Sequence, residues 1–126
     1  MARTVVVVDD SKFLARQITE FFVKTMGYTV VAEGNDGDQA VELYRMHTPD
    51  LITLDITMPN KNGKAALNEI LREFPGARIL MISAVKGSAM LECIAAGAKG
   101  FVEKPLKLSD AEFLSDFIAT VEDSLK

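Results

Sequence analysis

Three runs of apolar residues stand out along the chain: Val5-Val6-Val7-Val8, Leu51-Ile52-Thr53-Leu54 and Ile79-Leu80-Met81-Ile82. Each is continuous rather than alternating, and each stops at a polar residue. Runs of this kind suit strands covered on both faces, as in a parallel sheet sandwiched between helices. Two weaker runs, Thr29-Val30-Val31-Ala32 and Phe101-Val102, bring the total to about five strands, an ordinary count for an α/β domain.

Helical periodicity fills the intervals. Ser11 is placed to cap a first helix, in which Leu14, Ile18, Phe21, Phe22 and Thr25 share a face until Gly27 stops it. The later stripes are Ala40, Val41 and Tyr44; Leu67, Ile70, Leu71 and Phe74; Leu91, Ile94 and Ala95; and Leu114, Phe117, Ile118, Val121 and Leu125. Glycines and prolines fall between these segments, and no linker or internal repeat interrupts the series. The pattern predicts a doubly wound α/β fold in which residues 1–126 form one domain.

Composition narrows the function. The 126 residues carry 14 Lys+Arg against 18 Asp+Glu, a formal net charge of -4. A protein that coats phosphate backbones relies on clustered basic residues, so a nucleic-acid partner is disfavoured. No apolar run approaches the ~18 residues of a membrane span, and a soluble, cytoplasmic protein is expected. The single cysteine, Cys93, has no partner for an internal disulfide. It reads as a small, partly buried hydrophobe, since the only histidine, His47, lies in a different predicted element.

In open parallel sheets the ligand crevice lies beyond the carboxyl ends of the strands. Here the first strand ends in Asp9-Asp10, the third in Asp55 and the fourth in Ser83, and the fifth runs into Lys104-Pro105. If the strand order is 2-1-3-4-5, the first and third strands are neighbours and the three aspartates converge. Two carboxylates ~4 Å apart repel by ~4 kcal/mol at an effective dielectric of 20. Lys104 compensates in part, and a small hard dication such as Mg²⁺ suits the remainder, because it takes oxygen ligands and commonly pairs carboxylates with phosphate. Taken singly, Asp9-Asp10 could be a helix entry, Asp55 a turn residue and Lys104 a solvated surface lysine.

Together they resemble something more specific. Asp9-Asp10 after a valine run, Pro49-Asp50-Leu51, Asp55-Ile56-Thr57-Met58-Pro59 with Gly63 following, Ser83-Ala84, Ala96-Gly97-Ala98 and Lys104-Pro105 resemble the receiver domain of two-component response regulators over essentially the whole chain. The flavodoxin-like 2-1-3-4-5 order comes with that family; periodicity alone leaves the order of the strands open. The resemblance implies that Asp55 is the phosphoacceptor. Asp10 and Asp55 would ligate Mg²⁺, with the Thr57 backbone carbonyl as a further ligand and Asp9 acting through a bound water. Ser83 and Lys104 would hold the phosphoryl group, Phe101 would be the switch aromatic, and the Lys104–Pro105 bond would be cis. Thr57 and Val85 would tune phosphoryl lifetime, and Met90, Phe101 and Phe113 would form a partner face.

The function so implied is a single-domain response regulator. It takes a phosphoryl group from a histidine kinase and changes affinity for a downstream effector, with chemotaxis and the flagellar motor switch as the leading pathway. It assists its own phosphorylation and dephosphorylation without turning over an external substrate. A phosphorelay carrier or a regulator of another enzyme is the nearest alternative. Enzyme readings fare worse: no Gly-rich phosphate loop follows any strand, against a nucleotide binder, and no Asp-x-Asp pair leads the chain, against a metal-dependent phosphohydrolase. Three of the four surplus acids are thereby assigned to one crevice.

Overall fold

The computed structural model describes residues 2–126. Five parallel strands form one sheet in the order β2-β1-β3-β4-β5: β1 Thr4–Val8, β2 Thr29–Gly34, β3 Leu51–Leu54, β4 Ile79–Ser83 and β5 Gly100–Glu103. Helices α1 Lys12–Glu20, α2 Gly37–His47, α3 Gly63–Glu73, α4 Ser88–Ala96 and α5 Ala111–Ser124 connect and follow them. The strand alternation divides the core into two layers. Val6, Val8, Ile52, Leu54, Ile79 and Met81 pack beneath α2, α3 and α4. Val5, Val7, Leu51, Leu80 and Ile82 pack beneath α1 and α5. Both faces of β1, β3 and β4 are therefore covered, which is why their sequences read as unbroken apolar runs.

The first helix differs from expectation in its last turn. Ser11 caps α1 by accepting from the Leu14 amide at 3.2 Å, but after Glu20 the chain continues as one π turn, Phe21–Thr25. The extra residue in that turn rotates the stripe. Phe21 and Phe22 are both buried, Phe21 stacks on Phe117 with ring centroids 4.1 Å apart, and Thr25 is left in solvent.

The fourth helix corrects the predicted stripe outright. Leu91 and Ile94 are 68% and 43% exposed and Ala95 is exposed too, while Cys93 is completely buried rather than partly so. Seven of the nine residues of α4 are Ala, Met, Leu, Cys or Ile. A helix that is apolar nearly all round gives its periodicity no unique phase. The small side chains of Cys93 and Ala96 let the helix lie close to the core, while Leu91 and Ile94 face out. Burial raises the Cys93 thiol above its ordinary pKa, keeping it protonated and inert.

Candidate functional site

Sheet hydrogen bonding runs one residue past the strand ends and fixes the chemistry-bearing side chains at one edge. The Asp9 amide donates to the Gly34 carbonyl at 3.1 Å, the Asp55 amide to the Val8 carbonyl at 3.2 Å and the Lys104 amide to the Ser83 carbonyl at 3.1 Å. These backbone anchors rest on the sheet, so the side chains begin from positions set by the fold rather than by a free loop. The Lys104–Pro105 peptide is cis, as expected.

Carboxylate oxygens of Asp9, Asp10 and Asp55 all lie within 4.8 Å of one another. Lys104 Nζ reaches into the cluster, donating to Asp9 Oδ2 at 2.7 Å and to Asp55 Oδ2 at 3.0 Å. The second oxygen of each buried aspartate is also held: Asp9 Oδ1 accepts from the Ser11 amide at 2.9 Å and Asp55 Oδ1 from the Ile56 amide at 2.7 Å. Asp9 and Asp55 are buried, whereas Asp10 stands exposed at the mouth.

Burial pushes the Asp9 carboxyl above its ordinary value of 3.8, against the lowering influence of Lys104 and the Ser11 amide. For Lys104, burial works to lower the pKa, but the hydrogen bonds and charges of Asp9 and Asp55 outweigh it and leave the ammonium above its usual 10.5. The lysine is therefore cationic at neutral pH. One cation among three carboxylates leaves an excess of negative charge on hard oxygen atoms, and that donor set fits a small dication of the Mg²⁺ type.

The other predicted residues distribute around this cluster. Ser83 is buried at the end of β4, and its Oγ accepts from the Val85 amide at 3.2 Å, leaving its proton free to donate elsewhere. Val85 is half-buried, and Thr57 is exposed two residues beyond Asp55. Phe101 is half-buried opposite Met81 in the sheet register and packs against the core. Phe101 and Phe113 line a shared groove of about 180 Å³ with Phe117 and Thr120. Met90, half-buried on α4, is not part of that lining.

Sequence reasoning did not single out Asp36 or Asn60, nor the contacts by which Gly63 and Gly37 hold the loop after Asp55. Gly63 sits so close to the Asp55 carbonyl that a Cβ there would lie 1.9 Å from its oxygen, and a Cβ on Gly37 would lie 2.1 Å from the Lys61 carbonyl oxygen. Asp36 caps α2 through the Gln39 amide at 2.8 Å and accepts from Asn60 Nδ2 at 2.7 Å. An Asp-Gly pair ahead of a helical pattern signals the cap, but nothing local signals the bond to Asn60, 24 residues away.

A model of the response regulator receiver domain matches residues 5–112. The chain belongs to the response regulator receiver domain family. This receiver is 46% identical over 108 residues to the chemotaxis protein CheY of Bacillus subtilis, covering 85% of the chain and 89% of that protein. It is 42% identical over 110 residues to the CheY of Thermotoga maritima, covering 86% and 91%. Among solved structures, it superimposes on a chain of the CheX-CheY complex with BeF3 and Mg²⁺ from Borrelia burgdorferi with a TM-score of 0.84 at 35% identity, covering 94% of this receiver and 89% of that chain. The response regulator domain of Thermotoga maritima CheB gives a TM-score of 0.84 at 31% identity, covering 98% and 94%. Among the described residues, no helix of the receiver is long and apolar enough to cross a membrane.

Proposed function

We propose that this receiver accepts a phosphoryl group from the phosphohistidine of a histidine kinase onto Asp55, and that the modified domain changes its affinity for a downstream protein in chemotaxis. The observation that carries this reading is the bridge of Lys104 Nζ between Asp9 and Asp55 at the sheet edge, with Asp10 alongside. In the transfer, a carboxylate oxygen of Asp55 attacks phosphorus, the P–N bond breaks, and the donor imidazole leaves with the electron pair. Asp55 becomes an acyl phosphate. Hydrolysis reverses the modification: water attacks phosphorus, releasing inorganic phosphate and the free carboxylate.

Asp10 and Asp55, with the Thr57 carbonyl and Asp9 through water, would hold Mg²⁺, which when bound neutralises charge on the transferring oxygens. Lys104 meets the incoming phosphoryl group with a second positive charge. The Ser83 hydroxyl can keep its bond from the Val85 amide and donate its proton to a phosphoryl oxygen. That new bond would bias the loop after β4 and, through it, Phe101. The groove between Phe101 and Phe113 is the place where an effector, such as a flagellar motor component, would sense the change.

The test is incubation with Mg²⁺ and a small phosphodonor such as acetyl phosphate. Wild type should acquire hydroxylamine-labile phosphate and Asp55→Asn none. Failure of folded wild type to acquire it would overturn the reading.

Two further outcomes follow from the site. Asp9 holds a proton more readily than an ordinary carboxyl, and protons compete with metal for the carboxylates. Mg²⁺ affinity measured by calorimetry is therefore expected to fall as pH is lowered toward the Asp9 window, which opens above pH 3.8. An affinity flat down to that value would contradict it. Separately, Val85 offers no polar group to orient an attacking water, so the acyl phosphate should be slow to hydrolyse. Val85→Gln should speed phosphate release by about tenfold, short of what a fully positioned general base supplies. Fast release from wild type that Val85→Gln does not accelerate would argue against this role.

A further inference from the structure

The loop between β3 and α3 carries the one backbone group, the Thr57 carbonyl, that the proposed metal site needs. Its hydrogen bonds fall on either side of that residue. Upstream, the Gly63 amide donates to the Ile56 carbonyl at 2.8 Å. Downstream, the Gly37 amide donates to the Lys61 carbonyl at 2.9 Å, and Asn60 Nδ2 donates to Asp36 Oδ2 at 2.7 Å. Between these anchors the Lys61 amide donates to the Pro59 carbonyl at 2.7 Å, and the buried Met58 side chain holds the loop against the core.

Asp36 is well suited to act on the loop from another element. It is only 8% exposed, and its other oxygen is occupied by the Gln39 amide at 2.8 Å, so the carboxylate is aimed by the start of α2. Those bonds, from Gln39 first and Asn60 second, hold its carboxyl below the usual 3.8, and it is ionised at neutral pH. Asn60 has a φ of 65°, a left-handed conformation that asparagine tolerates and that turns the chain back toward Gly63. The bond to Asp36 thus grips the loop at its left-handed residue, three residues past Thr57.

We infer that the Asp36–Asn60 hydrogen bond is a positioning device for the metal site: the start of α2 orients the loop after Asp55 so that the Thr57 carbonyl faces the carboxylate cluster. Neither residue touches the metal, and both act through the loop backbone. The inference rests on the Mg²⁺ reading of the cluster. Residues that orient metal ligands from behind typically contribute 10–100-fold to affinity, and this pair, further removed, should contribute about tenfold, the lower end of that range.

The experiment is Mg²⁺ titration by isothermal calorimetry, with thermal melting alongside, on the full chain and three variants. Asp36→Ser keeps the helix cap, since Ser caps as well as Asp, but its shorter side chain cannot cap and also reach Asn60 Nδ2. Asn60→Gly removes the side chain without changing charge, and glycine accepts the positive φ. The double variant Asp36→Asn with Asn60→Asp swaps donor and acceptor and restores both the bond and the net charge. Both single variants should lose about tenfold in Mg²⁺ affinity while melting close to wild type, and the swap should recover most of the loss. The inference is overturned if Asn60→Gly binds as wild type does, which would leave only a charge effect of Asp36, or if the swapped pair recovers nothing. If wild type itself binds no Mg²⁺, the metal reading fails first and the inference with it, whereas tight wild-type binding with insensitive variants overturns the inference alone.

Discussion

Lys104→Met is expected to destabilise the receiver by about 3 kcal/mol at neutral pH in the absence of Mg²⁺, the lower end of the range for removing one partner of a buried pair. Methionine fills much of the same space, so the loss is electrostatic. Asp9 and Asp55, both buried, would face each other without the ammonium that now bridges them at 2.7 and 3.0 Å. The pH dependence follows from Asp9. Its folded-state pKa is already above 3.8 because of burial, and removing the lysine raises it further. The folded form then retains a proton that the unfolded chain releases, so the deficit grows as pH rises from near 3.8 toward neutrality. Saturating Mg²⁺ should return part of the loss by supplying the missing positive charge. Urea denaturation across pH, with and without Mg²⁺, measures all of this. A variant as stable as wild type at neutral pH without metal would show that the cluster does not depend on its cation.

Gly63→Ala should be at least as damaging, by about 3 kcal/mol, for a steric reason. The new Cβ would lie 1.9 Å from the Asp55 carbonyl oxygen and 2.9 Å from the Ile56 Cα, both backbone atoms that no side-chain rotation can move aside. Either the first turn of α3 withdraws and the loop after Asp55 follows it, or the segment carrying Asp55 shifts relative to Lys104. The variant should therefore lose phosphoryl uptake along with stability. Gly76→Ala is the matched control: a Cβ there meets nothing within 4 Å, and stability should change by less than about 1 kcal/mol. Equal behaviour of the two variants in chemical denaturation would contradict the packing argument.

These two positions illustrate what the sequence discloses and what it does not. The strands were legible because burial on both faces leaves continuous apolar runs, and the site aspartates because each follows such a run directly. Asp9, Asp10, Asp55 and Lys104 come together as expected. The phase of α4 was not legible: with seven apolar residues in nine, its buried face was decided by how closely Cys93 and Ala96 approach the core, a property of tertiary packing. The π turn at Phe21–Thr25 was hidden for a related reason, because the burial of two adjacent phenylalanines against Phe117 overrode the regular period and expelled Thr25. Gly37 and Gly63 read locally as breaks between elements, and Asp36 and Asn60 drew no reading of their own. Their role in holding the loop after Asp55 arises from contacts between segments far apart in the chain.

Locating the phosphoryl group on the chain decides whether Asp55 receives it. After incubation with a small phosphodonor and Mg²⁺, borohydride reduction converts an aspartyl phosphate to homoserine, which peptide mass spectrometry assigns to a position. Homoserine is expected at Asp55 alone, dependent on Mg²⁺ and absent from Asp55→Asn. Homoserine at another aspartate in wild type, or none in folded wild type with Mg²⁺ and donor present, would contradict that expectation.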